Sequence, residues 1–84
     1  MLKELHVVTF EGSHIAKVTP ALFNFETLIK AERSTIALGE SKDNVADMCP
    51  DSIVGNFLTV FDMSDGQTIF IAEDYDWIRR HCSD

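Results

Sequence analysis

The stretch from Phe57 to Glu73 constrains this chain more than any other. Two runs rich in Phe, Leu, Val, Ile and Thr meet at Asp65-Gly66, a dipeptide suited to the positive φ values of a type I′ turn. The pattern predicts a β-hairpin. With Asp65 and Gly66 as the two turn residues, Ser64 faces Gln67, and the ladder runs outward through Met63 with Thr68, Asp62 with Ile69, Phe61 with Phe70 and Val60 with Ile71. Leu58, Val60, Ile69 and Ile71 then line one face, and Phe57, Phe61, Met63 and Phe70 the other. Neither is a solvent face, so the sheet requires helices on both sides or a partner.

The rest of the chain is read around this hairpin. Leu5 to Phe10 is β-branched and aromatic and reads as a strand; Glu11-Gly12-Ser13 turns it, and His14 to Val18 returns beside it. Thr19-Pro20 has the character of a helix start, a hydroxyl at N-cap followed by a proline that lacks a donor only where none is needed. Leu22, Phe25, Ile29 and Ile36 follow at helical spacings, which predicts a long helix from Pro20 to about Leu38, closed by Gly39. Ser34 to Leu38 would equally suit a short strand. Glu40 to Asp51 is polar and reads as a loop with a turn or two of helix before Pro50. A final helix runs through Cys82, with Asp74 and Asp76 at its positive end, Arg79, Arg80 and His81 at its negative end, and Trp77 and Ile78 as anchors. The expected fold is α+β: an antiparallel sheet of two β-hairpins with one long helix and a C-terminal helix, in the order ββα(α)ββα. Residues 1–84 form a single small acidic domain.

Charge enters where function is asked about. Seven Lys and Arg stand against 14 Asp and Glu, a formal net charge of −7. The imbalance is local: positions 1–39 are neutral, whereas positions 40–76 carry nine acids against Lys42 alone. Direct nucleic-acid binding draws most of its affinity from cations that neutralise phosphates, so this composition disfavours it even with Phe61 and Phe70 on neighbouring strands as a stacking platform. The longest apolar runs, such as Ile69 to Ala72, are far too short to span a membrane. The start Met-Leu-Lys-Glu-Leu-His lacks the pattern of a secretory signal, which makes a cytoplasmic location the expectation.

Catalytic and metal chemistry find little support in spacing. Cys49 and Cys82 lie 33 positions apart and form no Cys-x-x-Cys motif. His81 and Cys82 are adjacent but point about 100° apart on a helix, no histidine stands near Cys49 in sequence, and Cys49, before Pro50 in a loop, is expected to be the more exposed thiol. His6 reads as a strand residue beside the core, His14 as a turn residue and His81 as a dipole partner at a helix end, so neither metal nor cofactor is expected. Gly12, Gly39, Gly55 and Gly66 stand singly and make no phosphate loop. No catalytic residue is expected.

These readings converge on a non-enzymatic protein-binding module. An acidic segment attracts a protein with a basic surface and speeds association with it. The candidate binding residues are Glu40, Asp43, Asp47, Asp51, Asp62 and Asp65. By analogy of size and charge alone, such a module resembles the inhibitors of mobile elements, anti-restriction and anti-CRISPR proteins among them, that present negative charge to a nucleic-acid-binding site. Two alternatives stand beside it: acids that merely keep the domain soluble, and a homodimer formed through Phe57, Phe61, Met63 and Phe70.

Overall fold

The computed structural model describes residues 2–82 and, for Cys82, the backbone alone, so the packing of the Cys82 side chain lies outside the described residues. The elements are β1 (Leu2–Glu11), β2 (His14–Asn24), a turn of 3-10 helix (Phe25–Thr27), β3 (Leu28–Ala37), a second such turn (Gly39–Ser41), α1 (Lys42–Met48), β4 (Val54–Met63), β5 (Thr68–Glu73) and α2 (Tyr75–Cys82). The five strands form one sheet in the order β2-β1-β5-β4-β3, antiparallel throughout. The α+β class, the two hairpins, the short helix before Pro50 and the C-terminal helix all match expectation.

The long helix from Pro20 to Leu38 does not form; those residues continue β2 and build β3. A competing period of two wins. Ala21, Phe23 and Phe25 alternate toward one core, while β1 offers a ladder that pairs residues 2–11 with residues 14–24. Pro20 is tolerated because β2 is an edge strand. The stripe that suggested a helix is mostly exposed in the strands: Leu22, Ile29 and Ile36 are exposed and only Phe25 packs on the core, while the inward residues of β3 are Leu28, Ala31 and Ser34, at every third position. Register shifts between Leu28 and Lys30 and between Arg33 and Ala37 let a strand bury residues at that spacing. Ser34 Oγ accepts the Ile36 N–H at 2.9 Å inside the second irregularity.

The link from β2 to β3 shapes the whole sheet. These strands lie at opposite edges, about 19 Å apart if five strands lay flat at ~4.8 Å spacing. From Asn24 to Leu28 the chain can reach only about 14 Å even when extended. The sheet therefore curls until its edges approach at that end. Asn24 fixes the corner, its Oδ1 accepting the Glu26 N–H at 3.0 Å and its carbonyl the Thr27 hydroxyl at 2.8 Å.

The central hairpin forms one residue out of the expected register. Met63 N–H donates to the Gln67 carbonyl and Gly66 N–H to the Met63 carbonyl, so Ser64, Asp65 and Gly66 together make the loop. A type I′ turn needs positive φ at both central residues, but Asp65 does not have it; only Gly66 does, at +89°. Asp65 Oδ1 instead accepts the Gln67 N–H at 3.0 Å. Phe61 then faces Ile69 and Val60 faces Phe70, a slip that exchanges the faces of one strand relative to the other. Phe61, Met63, Ile69 and Ile71 join Leu5, Phe23 and Ile78 of α2 in one core. Leu58, Phe70 and Ala72 join Val8, Leu38, Val54 and the α1 residue Val45 in the other. Helix cover on both faces is thus how the sheet meets its demand.

Candidate docking face and a buried His, Cys and Glu cluster

α1 follows from its own pattern. Val45 and the neighbouring Ala46 and Cys49 turn to the sheet, which leaves Asp43, Asn44, Asp47 and Met48 toward solvent. Glu40, Asp43, Asp47 and Asp51 are all exposed, and none takes part in the described ion pairs, which join His6 to Glu73, Lys30 to Glu32 and Arg33 to Asp76. The adjacent Lys42 ammonium donates to Asn56 Oδ1 at 3.0 Å. In the same stretch of chain stand two exposed apolar residues, Met48 at 56% and Ile53 at 59% of full exposure. A hollow of about 400 Å³ between α1 and β2 is lined by Ile15, Val18, Val45 and Met48 together with Lys17 and Asp47.

The placement of Asp47 works against the helix that carries it. Asp43 and Asp47 are four residues apart on one helical face, where like charges destabilise by about 0.2–0.5 kcal/mol. Asp47 also sits in the last turn, at the negative end of the helix dipole. Asp43, in the first turn, suits the positive end of the dipole, so local stability accounts for Asp43 but not for Asp47.

The remaining candidates separate from this face. Asp62 and Asp65 lie at the hairpin end of β4, opposite to the Val54 end that meets α1. Asp62 is half-buried and accepts the Thr68 hydroxyl at 3.3 Å, and Asp65 is occupied by its turn. The six acids are not one patch. Phe57, Phe61, Met63 and Phe70 likewise do not share a free face. Phe61 has 0% exposure and lies edge-on to the rings of Phe23 and Phe25, at 5.6 and 5.8 Å between centroids. Phe70 packs edge-to-face on Phe10 at 5.4 Å in the opposite core. Met63 is half-buried and only Phe57 is exposed, so the homodimer surface expected from these four is corrected: its central residue has no area to offer.

A second constellation joins residues far apart in sequence. Glu73, at the end of β5, is 0% exposed. Its Oε1 accepts the His6 backbone N–H at 2.9 Å, and its Oε2 accepts the Ser52 hydroxyl at 2.9 Å and pairs with His6 Nδ1 at 2.7 Å. The Glu73 carbonyl accepts the Thr59 hydroxyl at 2.8 Å. No buried side-chain N or O among the described residues is left without a partner, which is what makes an interior carboxylate tolerable. Cys49 completes the group: its thiol, the His6 ring and the Glu73 carboxylate each bring a ligand atom within 4.8 Å of the other two. Cys49 is 1% exposed, correcting the expected exposed thiol; α1 and the Ser52 N–H, which donates to the Cys49 carbonyl at 3.0 Å, fold the loop over it.

Burial, and then the negative charge of Glu73, raise the Cys49 thiol from its ordinary 9.0 to about 11. It stays protonated at neutral pH, which makes it a weak nucleophile. Sequence spacing could not reveal this cluster because His6 and Glu73 are 67 positions apart. The available signals were a histidine inside the apolar run Leu5 to Val8 and an acid closing Ile69 to Ala72. None of the described helices is long and apolar enough to cross a membrane. Comparison with protein-family models, with curated proteins and with solved structures gives no match in any of the three.

Proposed function

We propose that this chain is a non-enzymatic cytoplasmic binding protein that docks the acidic face around α1 onto a basic surface of another protein, acting as an inhibitor by occupying a site that otherwise receives nucleic acid. The observation that carries the reading is the set Glu40, Asp43, Asp47 and Asp51, exposed and outside the described ion pairs, in the same stretch of chain as the exposed Met48 and Ile53. Such an arrangement supplies both halves of a protein contact. Apolar residues give contact area, and the carboxylates steer a cationic partner and fix its orientation. Asp62 and Asp65 are left out of this face, being at the far end of β4.

The test compares wild type with the triple variant Asp43→Lys, Asp47→Lys, Asp51→Lys as bait in cell lysate at low and high ionic strength, with duplex DNA as competitor. Wild type is expected to retain a partner that salt and DNA both displace, and the variant to lose it mainly through slower association. Equal recovery by both baits, indifferent to salt, would reduce the acids to a solubilising role.

A further inference from the structure

We propose that His6, Cys49 and Glu73 form a binding site for a divalent transition-metal ion of the zinc type. The claim is independent of the docking face and rests on three features of the buried cluster.

The first is the donor set. Imidazole nitrogen, thiol sulfur and carboxylate oxygen are the three protein ligands of zinc, and here one of each lies within 4.8 Å of the others. Around a tetrahedral ion with bonds of about 2.0–2.3 Å, neighbouring donors stand roughly 3.3–3.7 Å apart. The loop thiol therefore has about 1 Å to move inward, and the His6 and Glu73 atoms, now at 2.7 Å, slightly less to part. A thiolate ligand favours zinc-like ions over calcium or magnesium, which take oxygen.

The second is orientation. The Glu73 carboxylate is already fixed by the His6 N–H on Oε1 and the Ser52 hydroxyl on Oε2, the kind of supporting hydrogen bonds that hold a ligating carboxylate. Ser52 and Cys49 belong to the same connection between α1 and β4, so one loop sets both a ligand and its support.

The third is charge balance. A dication with a Cys49 thiolate, a Glu73 carboxylate and a neutral His6 sums to zero, which suits an interior site. On binding, the Cys49 S–H bond breaks, its proton goes to solvent and its electron pair forms the metal–sulfur bond. The hydrogen that His6 Nδ1 donates to Glu73 Oε2 leaves that nitrogen on binding while Nε2 takes one up from solvent, so the ring stays neutral and the Nδ1 lone pair turns to the ion. Nothing is oxidised or reduced. The His6 side chain, 16% exposed, gives the route from solvent.

Cobalt(II) and zinc are the probes, added to protein in a Cys82→Ser background so that Cys49 is the sole thiol. The expected result is one cobalt ion per chain, with a thiolate-to-cobalt charge-transfer band that zinc abolishes and that strengthens as pH rises. Cys49→Ala should eliminate the band, and Glu73→Gln and His6→Gln should each weaken binding by about tenfold or more. Zinc should raise the unfolding temperature of the parent and leave that of Cys49→Ala unchanged. Circular dichroism establishes that each variant is folded, with Cys49→Ser as the alternative should Cys49→Ala fail. Cobalt bound without a thiolate band, or binding lost in His14→Gln but kept in His6→Gln, would overturn the proposal.

Discussion

At the scale of single residues, the environment of Cys49 makes a prediction that stands with or without metal. Its thiol is shifted upward by burial and by Glu73, so the folded protein holds this proton more tightly than the unfolded chain does. The thiol's contribution to stability is complete below the unfolded value of 9.0 and falls away as pH climbs toward about 11. In metal-free protein with Cys82→Ser, the stability difference between Cys49 and Cys49→Ala, read from urea midpoints, should shrink across that interval. His6 and Glu73 face the thiol, and Glu73→Gln removes the charge that adds to the shift, so the decline should become smaller and end at lower pH. A difference that stays flat from pH 9 to 11 would mean the thiol is not perturbed. Removing the partner outright is a harsher change. Glu73→Ala deprives the His6 N–H, the His6 ring and the Ser52 hydroxyl of their acceptor at once, and should cost on the order of 3 kcal/mol in thermal or chemical unfolding.

At the scale of elements, α2 is held by a contact that a single methyl group would disturb. Asp74 Oδ2 accepts the Trp77 N–H at 3.3 Å as the helix N-cap, and a Cβ placed on Gly55 would overlap the Asp74 carboxylate. Gly55→Ala should therefore displace the cap and destabilise by about 1–2 kcal/mol, as Asp74→Ala should by about 1 kcal/mol. Because both act on the same cap, the double variant should lose less than the sum, as a double-mutant cycle by denaturation will read; full additivity would place the cost elsewhere. The cap at Asp74 was legible in sequence because it depends on residues next to each other. The strand β3 was not, because Leu22, Phe25, Ile29 and Ile36 fall at helical spacings although three of them stay exposed, while the inward set Leu28, Ala31 and Ser34 depends on the irregular register with β4. The hairpin lies between these cases. Its existence followed from Asp65-Gly66, but its register hung on the φ of one aspartate, and that choice decided which core received Phe61. The exposed acids of α1 could be read from composition, whereas the group of His6, Cys49 and Glu73 needed the order β1-β5-β4 to bring it together.

At the scale of the molecule, core and surface make opposite demands on substitution. Phe61 joins strands β4 and β2 with the corner residue Phe25, across the inside of the curled sheet. Phe61→Ala should cost about 3–5 kcal/mol, a large share of the ~5–15 kcal/mol available to a small domain. Sedimentation should show loss of the folded species; conversion of a dimer to a folded monomer would restore Phe61 to an interface. The acidic face should behave in the reverse manner. Asp47→Lys removes the repulsion from Asp43, creates an opposite-charge pair four residues apart and places a cation in the last turn of α1. These changes should stabilise the fold by about 0.5–1 kcal/mol at low ionic strength, with the gain shrinking as salt is added. The same variant should bind its partner more weakly at low salt if the face docks on a basic surface. Stability rising while affinity falls would separate the two roles of one side chain. A variant that gains stability and keeps full affinity would show that Asp47 lies outside the contact.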